Sequence, residues 1–434
     1  MLKLNTADMQ ETAVDGFTIK TATITAHQTA GEHVRQTVIA NLQAKQYGYA
    51  NLLEDKQYLP QVQRVFSHIS WADTLVVIGI GGSDLGGRAI YNAMHRPDAQ
   101  MRVIFHGDTT DPNDIDDLLR EIELSHTVFN IVSKSGGTME TMAFYLYFKQ
   151  LYAEREEDWS KHFVFTTDQG SPLWNEALHN GIAMLKIPSD IGGRYSVFSA
   201  VGMLPALAME VDIESIWHGA SAALREELSD GEQAVAWQIA WNQFLLKQQG
   251  VDAAIFMPYS RKLEEFGRWI RQLYAESLGK DGNGILPIQA RGPADQHSQL
   301  QFYTQGKFLA SVLFLRVEDH GVSYVIDKAD LPDNEYLQGK EFADIINIEQ
   351  EATALSLRKV GRPSATLEIE RIDAAALGEL FMTFMLTVTY LGELLGVNAF
   401  DQPGVEESKN FMYALLGKSG YEAKRDEIAK LSGE

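Results

Sequence analysis

Short, continuous apolar runs alternate with amphipathic stretches through the first half of the chain. The runs lie at 75–80, 102–105, 127–132, 162–165 and 182–187, and apolar spacings of three and four residues predict helices at about 89–95, 112–124, 138–153 and 171–180. Runs this short, without polar alternation, fit strands buried on both faces. Five such βα units predict a doubly wound, five-stranded parallel sheet. Ligands in that architecture sit beyond the C-terminal ends of the strands. Upstream, the chain begins irregularly, and 31–49 reads as a helix with Val34, Val38, Ile39 and Leu42 on one face.

The second half is less regular. Helices are predicted at 197–209, 214–228, 231–249 and 262–278, and strands at 253–257, 308–317, 323–326 and 365–369, with a mostly helical C-terminal third. A second α/β domain with a mixed sheet follows, its strand order unreadable. The division expected is a helical segment at 1–50, a first domain at 51–205 and a second domain with C-terminal helices at 206–434. The most apolar long stretch, 381–397, carries several Thr and Glu393 and is short for a membrane span, so it reads as a buried core helix.

Composition narrows the chemistry. The 434 residues include no cysteine, which excludes disulfides, thiolate nucleophiles and Cys-ligated zinc, and fits a cytoplasmic protein. Against 37 Lys plus Arg stand 59 Asp plus Glu, a net charge of −22 that repels nucleic acid and anionic membrane over most of the surface. An anionic ligand must then be held by local backbone donors and a few placed cations.

Two Gly-rich turns at strand ends could supply those donors. The first, Gly79-Ile-Gly-Gly-Ser-Asp-Leu-Gly86, follows the first run and opens a helix, so Gly82 and Ser83 can approach a ligand closely. It is neither G-x-G-x-x-G, since Asp84 stands at the wrong place, nor a P-loop; the plain alternative is a tight βα turn. The second, Ser133-Lys-Ser-Gly-Gly-Thr138, surrounds two glycines with the hydroxyls of Ser133, Ser135 and Thr138, beside Lys134 and ahead of a helix. That combination suits a phosphate; an N-terminal cap by Thr138 with Glu140 or Thr141 explains one hydroxyl but not three.

Candidate catalytic groups lie further along. Arg194 sits between Gly192-Gly193 and Tyr195, just past a strand, where a guanidinium aimed into a cleft can stabilise an oxyanion; alternatively it is a solvated surface charge. Gln272 and Glu276 share a helix face, and Glu276, in the last turn against the negative end of the helix dipole, suits a general base. An i,i+4 surface pair with Lys280 is the plainer reading of the same spacing. His297 falls in a polar loop, and Lys409 follows Gln402-Pro403 in an ordinary N-terminal turn. No His-x-x-x-His or His-Glu pairing suggests a metal site.

With the further stretches Ile191-Gly-Gly-Arg-Tyr-Ser196, Ala275-Glu-Ser-Leu-Gly-Lys280, Gly292-Pro-Ala-Asp-Gln-His297 and Phe400-Asp-Gln-Pro-Gly-Val-Glu-Glu-Ser-Lys409, these motifs stand in one order, and together they resemble the glucose-6-phosphate isomerase family in its compact bacterial form. The resemblance implies two sugar-isomerase-type α/β/α sandwich domains, the first with a parallel and the second with a mixed sheet. It implies reversible conversion of glucose 6-phosphate to fructose 6-phosphate through ring opening and an enediol, with no cofactor and no metal. It also implies a homodimer whose cleft receives His297 from the neighbouring subunit. Carried over by motif, Glu276 is the base, His297 and Lys409 serve ring opening, and Arg194 stabilises the enediolate. Ser133, Lys134, Ser135 and Thr138 would hold the phosphate end, with Gly82, Ser83, Gln272 and Gln402 at the sugar. The rival readings are a non-catalytic phosphosugar sensor and an isomerase of another phosphosugar.

Overall fold

The computed structural model describes residues 2–10, 16–155, 158–307 and 309–432. Its strands are β1 (Leu2–Asn5), β2 (Thr74–Ile78), β3 (Arg102–His106), β4 (Thr127–Ser133), β5 (Phe163–Thr167), β6 (Ala183–Lys186), β7 (Ala253–Pro258), β8 (Leu286–Gln289), β9 (Ala310–Asp319) and β10 (Ser364–Arg371). They form two five-stranded sheets, each flanked by helices.

All five apolar runs of the first half become strands of one sheet, in the order β3-β2-β4-β5-β6, every pair parallel. β2, β4 and β5 are buried at every position, as strands covered by helices on both faces must be. The chain leaves β2 toward β3 on one side and returns to β4 on the other, so β2 and β4 flank the topological switch point. Both Gly-rich turns follow these two strands. Local chemistry sets the helix ends: Ser171 caps Pro172–Asn180 by accepting from the Trp174 N–H, Pro172 needs no donor at the first position, and Gly181 closes the helix at φ 67°.

The second sheet has the order β1-β10-β9-β7-β8 and is mixed, because β1 runs antiparallel to β10 while the other pairs are parallel. In the core, the helix Ala374–Leu395 packs against Ile213–Asp230 and Val235–Lys247. Among the described residues it alone is long and apolar enough to cross a membrane, but 89% of its most apolar window is buried inside the protein. It is the expected core helix. Its Gly378 and the facing Gly219 of Ile213–Asp230 let the two backbones touch: a Cβ at either would lie 1.8 Å from a carbonyl oxygen of the other helix.

Three expectations change. The 292–299 stretch is not a polar loop: Ala294–Gln305 is a helix, whose even spread of polar residues hid its period. The stretch 323–326 forms only an isolated bridge, Val325 to Glu341, outside the sheet. The irregular start contains β1, too short to register as a run, and the helix predicted at 31–49 begins ten residues earlier, as Thr21–Gln43.

Candidate active site

Arg194 is the hub. It lies in a short 3-10 turn, Gly193–Tyr195, and is 2% exposed. Its Nε donates to Ser277 Oγ at 2.7 Å, one terminal nitrogen to Gln402 Oε1 at 2.8 Å and Glu276 Oε2 at 3.3 Å, and the other to the carbonyls of Ala399 at 2.7 Å and Asp401 at 2.9 Å. A buried guanidinium demands such partners, and the planar fork fixes their directions. The surface-charge reading of Arg194 therefore fails.

Glu276 stands in the last turn of the helix Glu264–Leu278, half-buried. Its other oxygen, Oε1, accepts from Gln272 Nε2 at 2.8 Å, so the shared helix face becomes an actual contact. The surface pair with Lys280 does not form: Lys280 turns to the carbonyls of Asn398 and Asp401 and to the Asp401 carboxylate. The same lysine anchors the loop that brings Gln402 to Arg194.

The first Gly-rich turn meets this hub backbone to backbone. A Cβ on Gly82 would lie 2.2 Å from the carbonyl carbon of Gly193, and Ser196 Oγ donates to the Gly82 and Gly193 carbonyls at 3.2 and 2.7 Å. Gly81, at φ 60°, lies against the Gln272 amide. Gly82, Ser83, Arg194, Gln272, Glu276 and Gln402 are thus gathered in one place. Beneath the turn, Asp84 is 1% exposed; its Oδ2 accepts from Arg88 Nε at 2.6 Å while Oδ1 has no hydrogen-bond partner among the described residues. Burial pushes its carboxyl up to about 7, against the opposing pull of Arg88.

The second turn follows β4. Ser133 Oγ and Thr138 Oγ1 are 2.9 Å apart, and Ser135 Oγ accepts from the Gly137 N–H at 3.3 Å. Thr138 occupies the N-cap position of Met139–Glu154 without capping it through its side chain, so the plain capping explanation fails. One turn on, the Thr141 hydroxyl is fully buried without a hydrogen-bond partner among the described residues, a donor beyond the cap expected there; its position at i+3 from Thr138 was the available signal. Lys134 Nζ donates to the Ser189 carbonyl at 2.7 Å, and burial lowers its pKa. Lys134, Gly192, Gly193 and Gln402 line one polar cavity of about 440 Å³, walled by Tyr47, Tyr49 and Phe400. Of the two sites, Lys134 from the second turn and Gln402 from the partners of Arg194 reach this cavity.

His297 and Lys409 are not part of the hub. His297 is exposed in the first turn of Ala294–Gln305 and makes no hydrogen bond or ion pair among the described residues. Lys409, on Glu406–Leu415, is exposed and pairs with Glu406 at 2.9 Å.

A profile of the phosphoglucose isomerase family matches residues 65–427. The chain belongs to the phosphoglucose isomerase family. It is 35% identical over 373 residues to a probable glucose-6-phosphate isomerase of Haloarcula marismortui, covering 86% of this chain and 84% of that relative. It is 35% identical over 383 residues to the glucose-6-phosphate isomerase of Carboxydothermus hydrogenoformans, covering 83% and 82%. Among solved structures, a hypothetical protein of Thermus thermophilus has TM-score 0.86 at 32% identity, covering 96% of this chain and 100% of that one. A glucose-6-phosphate isomerase of Chlamydia trachomatis has TM-score 0.73 at 25% identity, covering 88% and 77%. As a phosphoglucose isomerase the chain is an enzyme.

Proposed function

We propose that this phosphoglucose isomerase interconverts glucose 6-phosphate and fructose 6-phosphate, a glycolytic and gluconeogenic step, with Glu276 as the base that carries the proton between C2 and C1. The observation that carries the assignment is the contact of one buried guanidinium, Arg194, with both the Glu276 carboxylate and the amide of Gln402, a residue that lines one cavity with Lys134. Proton abstraction next to a carbonyl leaves negative charge on the adjacent oxygen, and a fixed cation within reach of the base stabilises it. Ser133, Lys134, Ser135 and Thr138 hold the phosphate with free N–H groups at the start of Met139–Glu154, and the unpartnered Thr141 hydroxyl adds a donor. Gly82, Ser83, Gln272 and Gln402 orient the sugar. His297 and Lys409 move the protons of ring opening. Charge stabilisation is assigned to Arg194, without metal or cofactor.

The active unit is a homodimer in which His297 enters the partner's cleft. Two features support this: His297 has no partner among the described residues, and apolar side chains are exposed close to its helix. Pro293, just before that helix, lines a cavity of about 380 Å³ with Val322, Tyr324 and Phe342, whose exposures are 63%, 68% and 59%. The two sheets correspond to two sugar-isomerase domains divided near residue 205, and the protein works in the cytoplasm.

The test is coupled conversion of fructose 6-phosphate to glucose 6-phosphate in excess EDTA, on wild type and Glu276→Gln. The expected result is an EDTA-resistant rate that falls about a thousandfold or more in the variant. A rate abolished by EDTA would sink the metal-free mechanism. Sugar-phosphate binding without turnover in the wild type would favour a sensor.

A further inference from the structure

The phosphate loop contains a peptide that its own sequence does not hold still. Gly136 and Gly137 are consecutive; Gly136 is left-handed at φ 66°, while Gly137 is not, and a Cβ at Gly137 would meet nothing within 4 Å. The Gly137–Thr138 peptide is planar, so its carbonyl and its N–H point in opposite directions and turn together. That N–H is one of the donors at the mouth of the helix, held within the loop only by a long 3.4 Å contact to Ser133 Oγ. Its orientation needs a hold on the other side of the plane.

The hold comes from far along the chain. Tyr413 Oη donates to the Gly137 carbonyl at 3.1 Å, across 276 residues of sequence. Tyr413 is itself braced: Lys418 Nζ lies 3.8 Å from the centre of its ring, and the Tyr421 ring is 5.3 Å away. On Glu406–Leu415 it stands four residues after Lys409, on the same helix face. One hydroxyl therefore ties the peptide of the phosphate loop to the helix that carries the exposed lysine.

We propose that Tyr413 is a positioning residue of the reaction: by fixing the Gly137 carbonyl it aims the Thr138 N–H at the phosphate, and it sets the Lys409 helix against the phosphate loop. A hydrogen bond accepted by a carbonyl also polarises the N–H of the same peptide, which strengthens its bond to an anion. The proposal rests on the phosphate-loop reading, and the test separates the two.

The experiment measures inhibition by inorganic phosphate and by a phosphate-free polyol, with kcat and KM for fructose 6-phosphate, in four variants of the full chain. Tyr413→Phe keeps the ring and removes the donor. Phosphate should inhibit it roughly three- to tenfold more weakly, with polyol inhibition unchanged and a higher KM. Gly137→Ala, at an open position of ordinary φ, narrows the freedom of the same peptide, so Tyr413→Phe/Gly137→Ala should recover most of the lost phosphate affinity. Ser133→Ala is the control for the loop itself. If Ser133→Ala weakens phosphate inhibition and Tyr413→Phe does not, the role of Tyr413 is overturned and the phosphate loop stands. If neither variant weakens it, the loop reading falls as well. Equal weakening of phosphate and polyol inhibition in Tyr413→Phe, without rescue by Gly137→Ala, would make Tyr413 a general structural contact and overturn the proposal.

Discussion

Arg194 and Lys409 are both cations that we assign to one reaction, and they are held in opposite ways. Arg194 is buried, and its side chain donates to five acceptors drawn from the 264–278 helix and the 399–402 loop. Lys409 is exposed on a helix near the end of the chain, with Glu406 as its ion-pair partner. The first arrangement suits a charge that must be in place before substrate arrives, since a preorganised cation costs no reorganisation in the transition state. The second suits a proton carrier, which must exchange with solvent and meet a ring oxygen whose position varies as the ring opens. His297 falls on the same side of the division as Lys409, exposed and without a partner among the described residues.

That contrast can be broken most directly at Arg194. Arg194→Lys keeps the charge but not the fork, so it leaves several acceptors without donors. kcat is expected to fall about 10²–10³-fold with a clear drop in Tm, read by steady-state kinetics and thermal melting. A variant with near-normal kcat would mean that the charge alone matters. Lys409→Ala and His297→Ala should each lower kcat about a hundredfold, the low end for general acid–base groups, while Tm stays within about a degree because nothing buried is lost. Mixing sharpens the point. If His297 crosses the interface, Glu276→Gln and His297→Ala chains combined at random regain about a quarter of the wild-type rate, since half the dimers are mixed and each has one complete site. No regain after subunit exchange would put His297 in its own chain's site.

The smallest effect concerns Asp84 under the first Gly-rich turn. Its carboxyl is raised from 3.8 to about 7, chiefly by burial, so the folded state binds a proton more readily than the unfolded one. Between about pH 4 and pH 7 the folded form holds more protons, and this group's contribution to stability falls as pH rises, levelling off above 7. Asp84→Asn cannot ionise and should flatten that part of the Tm–pH curve. An unchanged slope would mean that the Arg88 pair keeps Asp84 ionised throughout.

The parallel sheet was legible because short apolar runs are local signals, whereas the residues around Arg194 were named through the family resemblance and not through spacing. Five runs became five strands because strands buried on both faces have no polar alternation to confuse them. The links between distant segments were not legible. Nothing in the spacing of Arg194 says that Ser277 and Ala399 surround it, and the bland reading of Glu276 with Lys280 failed only because Lys280 finds carbonyl acceptors 118 and 121 residues away. The helix at 294–305 was missed because its polar residues encircle it, which gives no apolar stripe to detect. β1 was missed because four residues cannot establish a period.

β1 also imposes a schedule. Leu2 pairs with Ile369 and Asn5 with Thr366, so the antiparallel edge of the second sheet joins segments more than 360 positions apart. At roughly 5–20 residues per second on the ribosome, β1 waits on the order of 20–70 s for its partner strand to be made. All of β2 to β6 emerges within that interval, so the Ser133–Thr138 loop can be folded while the segment that completes the other sheet does not yet exist. β1 is made before β2 to β6 and secured after them, and a stalled ribosome would expose it to any nearby chaperone or protease.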